Sequence, residues 1–416
     1  MKRVAVIGTG IAGMGAGYYL RDRCHITFYE KEPRPGGHTN TVVAREAQRD
    51  VPIDTGFMVY NEKTYPNFVR LLKELEVATE ETSMSFSVQH LPSGLEYRGT
   101  DQLFARRRNL LNFPYIAMLL EIDRFRRQAV EVIADDRYAA CTVEEYAREK
   151  GYRKDFLDQF LIPMSSAVWS IPAGKVLDFP VRTLVRFFHN HGFLGLNTQL
   201  QWRTIIGGSR VYRDRLLNHF TGRVRLGMPV KRVSRTAQGV EVEDASGQRL
   251  LYDKAVLACH ADEALSLLEG PTSRESALLG AFSYQKNRAV LHTDASPMPK
   301  VKRAWASWNY RVDKGPQGHP AATTVYYMNS LQGVSDRQDY FVSINDPGLI
   351  ARDKIIWEKD YHHPVFNMEA VNAQGRLAEL NKNGRVYYCG SYFGYGFHED
   401  ALTSALNVAG LIAGGQ

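Results

Sequence analysis

The chain has 416 residues, enough for two domains or for one large α/β domain with an inserted partner. Hydrophobic residues make up 44% and charged residues 23%, which is typical of a globular protein and excludes a disordered or fibrous architecture. The 52 basic and 45 acidic residues give a formal charge of +7, which favours an anionic ligand or surface without identifying either.

Other features of the sequence narrow the class of protein. The longest apolar run, 110–120, contains Asn112 and Pro114 and is shorter than the roughly 20 residues of a membrane-spanning helix. The four cysteines lie far apart with no CxxC pair, which fits neither a disulfide framework nor a zinc site. A strand pattern begins within the first residues and leaves no room for a signal peptide. We therefore expect a cytoplasmic protein.

The first thirty residues have the pattern of a dinucleotide-binding βαβ unit. An apolar strand over 2–7 is followed by a glycine-rich turn, a helix of small and apolar residues, and a second strand that ends at Glu30. Gly8 would make the tight turn, Gly10 would let the backbone approach a pyrophosphate, and Gly13 would let helix and strand pack closely. The Glu30 carboxylate would accept hydrogen bonds from ribose hydroxyls and repel a 2′-phosphate, which disfavours NADP.

The next segment separates NAD from FAD. After Glu30 the chain reads KEPRPGGHTNT, and DTGFMVYN follows from Asp54. A typical NAD dehydrogenase needs no second glycine pair just past the ribose acid, whereas the flavoproteins of the amine oxidase and phytoene desaturase superfamily have one. The sequence resembles that superfamily, and the resemblance implies FAD as the cofactor. We expect noncovalent binding, with Cys389 and His38 as the alternative points of covalent attachment.

The resemblance extends to two later segments in the expected order. In the family, a hairpin-like stretch such as 222–233 contacts adenine, and a terminal strand, here ending at Gly390, is followed by a helix, here from about Glu399, that points at the flavin. The residues that the pattern and the resemblance together assign to FAD are Gly8, Gly10, Ile11, Ala12, Gly13, Glu30, Lys31, Arg34, Gly36, Gly37, His38, Thr39, Gly56, Phe57, Met58, Val230, Ala258, Gly390, Ser391, Glu399, Asp400 and Ala401.

Some positions depart from the family pattern. His38 and Glu32 stand where the family usually has arginines, and Ser391 stands where it usually has an acid that bonds the ribityl chain. The phosphates would then rest more on backbone N–H groups and on Arg34, and Glu399 or Asp400 would replace the missing acid.

The resemblance implies an α/β, amine oxidase-like fold with a Rossmann-type FAD-binding domain and an inserted α+β substrate domain. The boundaries that we expect are 1–95, 206–275 and 376–416 for the FAD-binding domain, and 96–205 and 276–375 for the substrate domain.

The first insertion is predicted to be helical. From Pro114 an apolar stripe recurs at helical spacing, with arginines on both sides of it. This helix either packs against the core and exposes a basic face, or makes a peripheral membrane contact through 104–128 and admits a lipid. Farther on, a capping box from Thr142 to Glu145 predicts a helix that ends at Gly151.

The second insertion is predicted to form an antiparallel sheet rich in aromatic residues. In related flavoenzymes such a sheet lies over the flavin, so the candidates for lining the substrate cavity are Trp169, Trp308, Tyr327, Tyr392, Tyr395 and Phe397. No catalytic residue is assigned; weak candidates are Tyr395, His398 and Lys286, the last near the place of a lysine that holds a water at flavin N5 in many amine oxidases. The neighbouring Asn287 is the alternative counterpart.

Rival chemistries find less support. The histidine pairs at 189/191 and 362/363 lack carboxylate partners at ligand spacing, so no metal is expected, and no nucleic-acid-binding module is present.

Other segments of the sequence resemble a bacterial branch of the superfamily whose members are thought to act on lipid chains. The resemblance implies an FAD-dependent oxidoreductase that passes hydride from a C–H bond to flavin N5, and we expect CH–CH desaturation of a hydrophobic acyl chain, either a methyl-branched fatty acid or a phospholipid acyl group. A flavin amine oxidase, a redox-neutral lipid isomerase and a non-catalytic FAD- or lipid-binding protein remain alternatives, and the electron acceptor is open.

Overall fold

The computed structural model describes residues 1–99, 103–195, 200–314, 320–382 and 384–414, and within them the strands form five sheets. The strands are β1 (Lys2–Ile7), β2 (Cys24–Tyr29), β3 (Thr41–Glu46), β4 (Arg49–Asp54), β5 (Tyr60–Asn61), β6 (Thr79–Thr82), β7 (Phe86–His90), β8 (Leu95–Arg98), β9 (Trp202–Ile205), β10 (Val224–Arg225), β11 (Val230–Arg235), β12 (Val240–Asp244), β13 (Arg249–Tyr252), β14 (Lys254–Leu257), β15 (Ser283–His292), β16 (Trp308–Lys314), β17 (Pro320–Tyr327), β18 (Phe341–Ile344), β19 (Ile355–Val365) and β20 (Val386–Tyr388).

Helices connect and cover these sheets. They are α1 (Ile11–Leu20), α2 (Pro66–Glu74), α3 (Phe113–Gln128), α4 (Glu131–Ala134), α5 (Val143–Lys150), α6 (Lys154–Phe156), α7 (Ile162–Trp169), α8 (Ala173–Val176), α9 (Val181–Asn190), α10 (Arg210–Asn218), α11 (Ala261–Leu267), α12 (Ser273–Leu279), α13 (Met328–Gln332), α14 (Met368–Gln374) and α15 (His398–Gly414). A π-helical turn over Leu157–Leu161 joins α6 to α7.

A five-stranded parallel sheet organises the cofactor half of the molecule. Its order is β10-β2-β1-β14-β20, so strands far apart in the chain end side by side. Along β1, Val4 and Val6 enter the core formed with α1 and α15, while Ala5 and Ile7 enter the core on the other face, where the β11–β13 sheet packs. Both faces are covered, as a parallel sheet requires, and the predicted α/β fold class is confirmed.

The second large sheet is mixed and has seven strands in the order β19-β15-β18-β17-β16-β7-β8. The predicted aromatic strands β16 and β17 pair antiparallel, with Trp308 opposite Tyr326. Strands β7 and β8 join the same sheet through a parallel pairing of β7 with β16, although both begin at or before the boundary expected at residue 95.

The stretch 222–233, expected to be hairpin-like, is not a hairpin. β10 pairs in parallel with β2 at the edge of the five-stranded sheet, whereas β11 pairs antiparallel with β12 in a different sheet. The two strands are neighbours in sequence but not in hydrogen bonding.

Helices α3 to α9 form a layer beside the seven-stranded sheet. The apolar stripe of α3 faces inward, since Tyr115, Met118 and Phe125 are buried in the main core. The capping box at Thr142 forms as predicted, and α5 ends at Gly151, whose φ is 64°. Among the described residues, none of the helices is long and apolar enough to cross a membrane.

A cavity built from three strand ends

A cavity of about 560 Å³ opens where β1, β14 and β20 end at the same edge of the five-stranded sheet. Ligands of open parallel α/β sheets bind beyond the carboxyl ends of the strands, and the size falls within the range for small-molecule sites. Of the residues predicted to bind FAD, those that line this cavity are Gly8, Gly10, Ile11, Ala12, Glu30, Lys31, Gly37, His38, Gly56, Phe57, Val230, Ala258, Gly390, Ser391 and Ala401.

The glycine-rich turn has the geometry expected from its spacing. Gly8 has a φ of 102°, which only glycine adopts without strain. A Cβ on Gly13 would collide with the carbonyl oxygen of Gly8, so this position brings α1 close against the turn without itself lining the cavity. The backbone ahead of α1 is therefore open to a phosphate group at the helix N-terminus.

Glu30 lies at the cavity wall after β2 and is buried. Its carboxylate accepts hydrogen bonds from the Thr9 backbone N–H at 3.0 Å, the Thr9 hydroxyl at 2.5 Å and the Glu32 N–H at 3.0 Å. These bonds hold the acid next to the turn, where carboxylate oxygens can accept ribose hydroxyls.

His38 follows the second glycine pair and stacks on Tyr361 with ring centroids 4.8 Å apart. Its Nε2 is shielded from solvent and has no hydrogen-bond partner among the residues that the structure describes. Burial and the neighbouring histidines hold the pKa of His38 well below its usual range, so the ring is neutral. A polar atom without a partner at the wall of the cavity is what a bound group with hydrogen-bonding atoms would satisfy. The residues present therefore fit FAD.

A network of amides fixes the state of a second cavity-lining histidine, His363. The backbone N–H of Arg288 donates to Oδ1 of Asn345, so the amide nitrogen of Asn345 must be the atom that donates to Oδ1 of Asn287, at 2.7 Å. The amide nitrogen of Asn287 then faces Nδ1 of His363, also at 2.7 Å. Nδ1 accepts this bond, so the ring proton lies on Nε2.

Burial and the nearby His260 and His362 lower the pKa of His363 to about 4. At neutral pH the ring is uncharged and offers an Nε2–H donor at the cavity wall. From the sequence, this histidine is a candidate only as a metal ligand. The alternation of β15 places Asn287 inward, and this pattern is the sequence signal that points to a buried partner for the amide.

Part of the cavity lining is apolar and aromatic. We call it the aromatic lining; it consists of Val168, Trp169, Tyr326, Pro364, Phe366, Tyr392, Tyr395 and Phe397. The Trp169 ring nitrogen donates to the Tyr395 carbonyl at 3.1 Å, which ties α7 to the loop before α15. Of the sequence candidates for the substrate cavity, Trp169, Tyr392, Tyr395 and Phe397 are among the residues that line this cavity.

His398 also lines the cavity, at the start of α15. Its ring stacks on Phe57 with centroids 3.7 Å apart, and its Nε2 shares a 2.6 Å hydrogen bond with the Tyr212 hydroxyl, which also bonds Thr39. Burial lowers the pKa of His398 to about 3, so this ring too is neutral. Its contacts connect α15 to α10 and, through Tyr212, to Thr39 after the second glycine pair, so it stabilises the cavity wall.

Several predicted residues lie outside the cavity lining. Lys286 points outward and pairs with Asp360 at 2.7 Å, because its neighbour Asn287 takes the inward position on β15. Trp308 is not itself in the lining but stacks on Tyr326, which is, with ring centroids 5.8 Å apart, and Tyr327 donates to Asp339 at 2.7 Å. Tyr326, one residue from Tyr327 and on the opposite face of β17, lines the cavity instead.

The acids expected to replace Ser391 are engaged elsewhere. Glu399 accepts the backbone N–H groups of Asn67 and Phe68, both at 2.9 Å, at the start of α2. Asp400 accepts the N–H groups of Tyr395 and Phe397 at 3.0 and 2.9 Å, and burial raises its pKa to about 7. Both line a smaller neighbouring cavity of about 440 Å³ rather than the main one.

The remaining predicted FAD-binding residues support the wall from behind. Arg34 donates to the Gly37 carbonyl at 3.1 Å and so holds the second glycine pair in place. Gly36, Thr39 and Met58 are buried behind the lining. Within the described ranges, no three histidine, cysteine or acidic side chains come together as a metal site would require.

Comparison with known proteins agrees with this site. A model of the family described as flavin containing amine oxidoreductase matches residues 11–337. No curated protein matches the chain significantly.

Solved structures with this fold include oxidases and an isomerase. Putrescine oxidase bound to putrescine superposes with a TM-score of 0.71 at 14% identity over 99% of each chain. Cyclohexylamine oxidase from Brevibacterium oxydans IH-35A gives 0.68 at 14% over 99% of each. A CLA-producing fatty acid isomerase from P. acnes gives 0.66 at 14%, over 98% of this chain and 97% of the other. Such low identities establish the fold, while the family match covers well over half of the sequence. The chain belongs to the flavin-containing amine oxidoreductase family and is an FAD-dependent oxidoreductase.

Proposed function

We propose that this oxidoreductase desaturates a hydrophobic acyl chain, with a methyl-branched fatty acid as the preferred case. When bound, FAD supplies the chemistry by accepting a hydride at N5. Desaturation removes a hydride and a proton from neighbouring carbons and leaves a C=C bond; the hydride passes to the flavin, the proton is released to solvent, and oxygen or another acceptor then takes the two electrons from the reduced flavin. The protein's part is to hold the cofactor, orient the chain and exclude water.

The observation that carries this proposal is the distribution of charge in the cavity. Among the described residues, the carboxylates that line it are Glu30, Glu32, Glu263 and Asp360, and each has a partner in the protein. Glu32 pairs with Lys359 at 2.8 Å and Glu263 with Lys31 at 2.5 Å. An ammonium group would find no free carboxylate among these lining residues, whereas a hydrocarbon chain against the aromatic lining would lose no hydrogen bonds.

Noncovalent binding of FAD is part of the proposal. Cys389, a conceivable attachment point, lies in the core behind the cavity, and burial raises its pKa to about 12, which suppresses the reactive thiolate. His38 is neutral and could donate or accept a hydrogen bond without forming a covalent link. The four cysteines are free, which supports a reducing, cytoplasmic location.

His363 is proposed to orient the bound groups through its Nε2–H. The proton position is set by Asn287, so the ring presents a donor and cannot accept a proton at that nitrogen. A fixed donor suits a carbonyl or ring acceptor better than it suits an ammonium ion. This is a second reason to favour an acyl substrate over an amine.

Anaerobic mixing of the flavin-loaded protein with a panel of substrates tests the proposal. The panel pairs straight-chain and methyl-branched fatty acids with putrescine and cyclohexylamine. We expect a fatty acid to bleach the oxidised flavin band and the amines to leave it unchanged. If only an amine bleaches the band, the protein is an amine oxidase. If no substrate in the panel bleaches the band, dehydrogenation is refuted.

A redox-neutral isomerase of unsaturated acyl chains is the second candidate. The likeness to a fatty acid isomerase over nearly the whole chain supports it, because that protein's fold accommodates a fatty acid. Turnover of an unsaturated fatty acid in the absence of oxygen or any other acceptor would favour isomerisation. A product that forms only in proportion to acceptor consumed would favour desaturation, and would also exclude a carrier without catalytic activity.

A further inference from the structure

Exposed apolar side chains concentrate in one short segment of the surface. Phe104, Leu110, Leu111, Phe113 and Leu120 are all exposed, and we call them the apolar cap. Leu111 is 82%, Phe113 79% and Leu120 69% exposed. Side chains with this much free surface stand out from the protein rather than line a groove. Several large protruding apolar side chains in one place mark an interaction site.

The outer face of α3 changes character along its length. Phe113, Ala117 and Leu120 recur at helical spacing, and the same face continues with Arg124 and Arg127. The opposite face is buried, so these residues are not needed for folding of the core. At 1.5 Å per residue, the apolar part of this face spans about 10 Å before the arginines begin.

Arginines also surround the N-terminal side of the cap. Arg107 and Arg108 are exposed in the turn that precedes α3, and Arg108 donates to the Gly94 carbonyl at 2.8 Å. Positive charges at the edge of an apolar protrusion complement the anionic headgroups that surround the hydrocarbon of a bilayer. Amphipathic segments lie along such an interface with their apolar face buried to a depth of roughly 5–10 Å.

We propose that the apolar cap inserts into the surface of an anionic lipid bilayer, with the arginines of α3 and of the preceding turn at the level of the headgroups. The protein then binds one membrane leaflet peripherally. The proposal is independent of the substrate, because it concerns only the outer surface of the helical layer.

Co-sedimentation with vesicles tests this surface directly. The flavin-loaded protein is mixed with sucrose-filled vesicles of equimolar phosphatidylcholine and phosphatidylglycerol, or of phosphatidylcholine alone. We expect the protein to pellet with the anionic vesicles, and the bound fraction to fall with added salt because screening weakens the arginine contacts. Protein that stays in the supernatant with both vesicles would overturn the proposal.

Matched double variants locate the contact. L111S/F113S is expected to lower partitioning onto anionic vesicles by roughly tenfold or more, since two large apolar side chains no longer enter the lipid. L349S/I356S removes two exposed apolar side chains elsewhere on the surface and is expected to bind like the wild type. Equal binding by both variants would refute the assignment of the cap.

Sedimentation velocity distinguishes a lipid from a second copy of the chain. We expect the wild type and L111S/F113S to sediment with the same oligomeric state in the absence of vesicles. A dimer that only L111S/F113S dissociates would show that the cap is an interface between copies, and would overturn the membrane proposal. Near-ultraviolet circular dichroism establishes that each variant is folded before binding is compared.

Discussion

The asparagine that sets the proton position of His363 offers a test at the level of single atoms. In Asn287→Asp, an oxygen replaces the amide nitrogen that lies 2.7 Å from Nδ1 of His363. The other carboxylate oxygen can still accept from Gln285 and Asn345, as Oδ1 of Asn287 does now. The substitution therefore changes one contact, from a donor facing the ring to a negative charge facing it.

The size of the effect follows from Coulomb's law. Opposite unit charges about 4 Å apart interact by about 4 kcal/mol at an effective dielectric constant of about 20, which corresponds to about 3 pKa units. The cost of burying the new carboxylate offsets part of this rise in the pKa of His363. We expect the pKa of His363, now lowered to about 4, to rise by about 2 units or more and its proton to move to Nδ1.

Nitrogen-15 NMR of histidine-labelled protein measures both quantities. The His363 signals are identified by their absence in His363→Gln. In the wild type we expect a neutral ring protonated at Nε2 that stays neutral down to a pH near 4, and in Asn287→Asp a ring that titrates at higher pH. Asn309→Asp is the matched control, because Asn309 is a buried asparagine of the same sheet whose hydrogen bonds involve no histidine. A wild-type ring protonated at Nδ1 would refute the network.

Other expectations rest on separate features of the chain. Gly13→Ala should abolish FAD binding in a titration followed by fluorescence, because the new Cβ would collide with the Gly8 carbonyl. The control Gly410→Ala places its Cβ in open space within α15, so it should keep FAD binding and raise the free energy of unfolding by up to about 1 kcal/mol. Glu30→Ala should raise the dissociation constant for FAD by roughly tenfold or more, the equivalent of about 1.4 kcal/mol, and unchanged affinity would contradict a ribose contact. Burial lowers the pKa of His292 to about 4, so the folded state binds fewer protons than the unfolded state, and the free energy of unfolding decreases as the pH is lowered. When the pH is lowered from about 7 to about 5, His292→Gln should lose about 2 kcal/mol less of this free energy than the wild type in urea titrations. Equal losses would contradict the assignment.

Features that depend on neighbouring residues in the chain could be predicted from sequence. The strand, glycine turn and helix at the N-terminus are encoded within thirty residues, and each has a recognisable pattern. The capping box at Thr142 and the buried stripe of α3 are likewise local, because helical spacing alone determines which side chains share a face.

Features that depend on long-range strand pairing could not be predicted in the same way. In a strand, neighbouring side chains point to opposite faces, so an error of one residue replaces the buried Asn287, which contacts His363, by the exposed Lys286. Asn287 meets His363 only because β15 pairs with β19, far along the chain. Glu399 similarly bonds the start of α2, a contact that local pattern does not reveal.

The cofactor content of the purified protein tests the central claim most directly. Its visible spectrum is recorded, the protein is denatured with acid, and the supernatant is analysed for flavin. We predict an oxidised flavin band and its release as intact FAD, because the glycine turn, Glu30 and His38 line the cavity and the binding that we propose is noncovalent. A colourless protein that does not take up added FAD, or a flavin that remains with the precipitate, would contradict it.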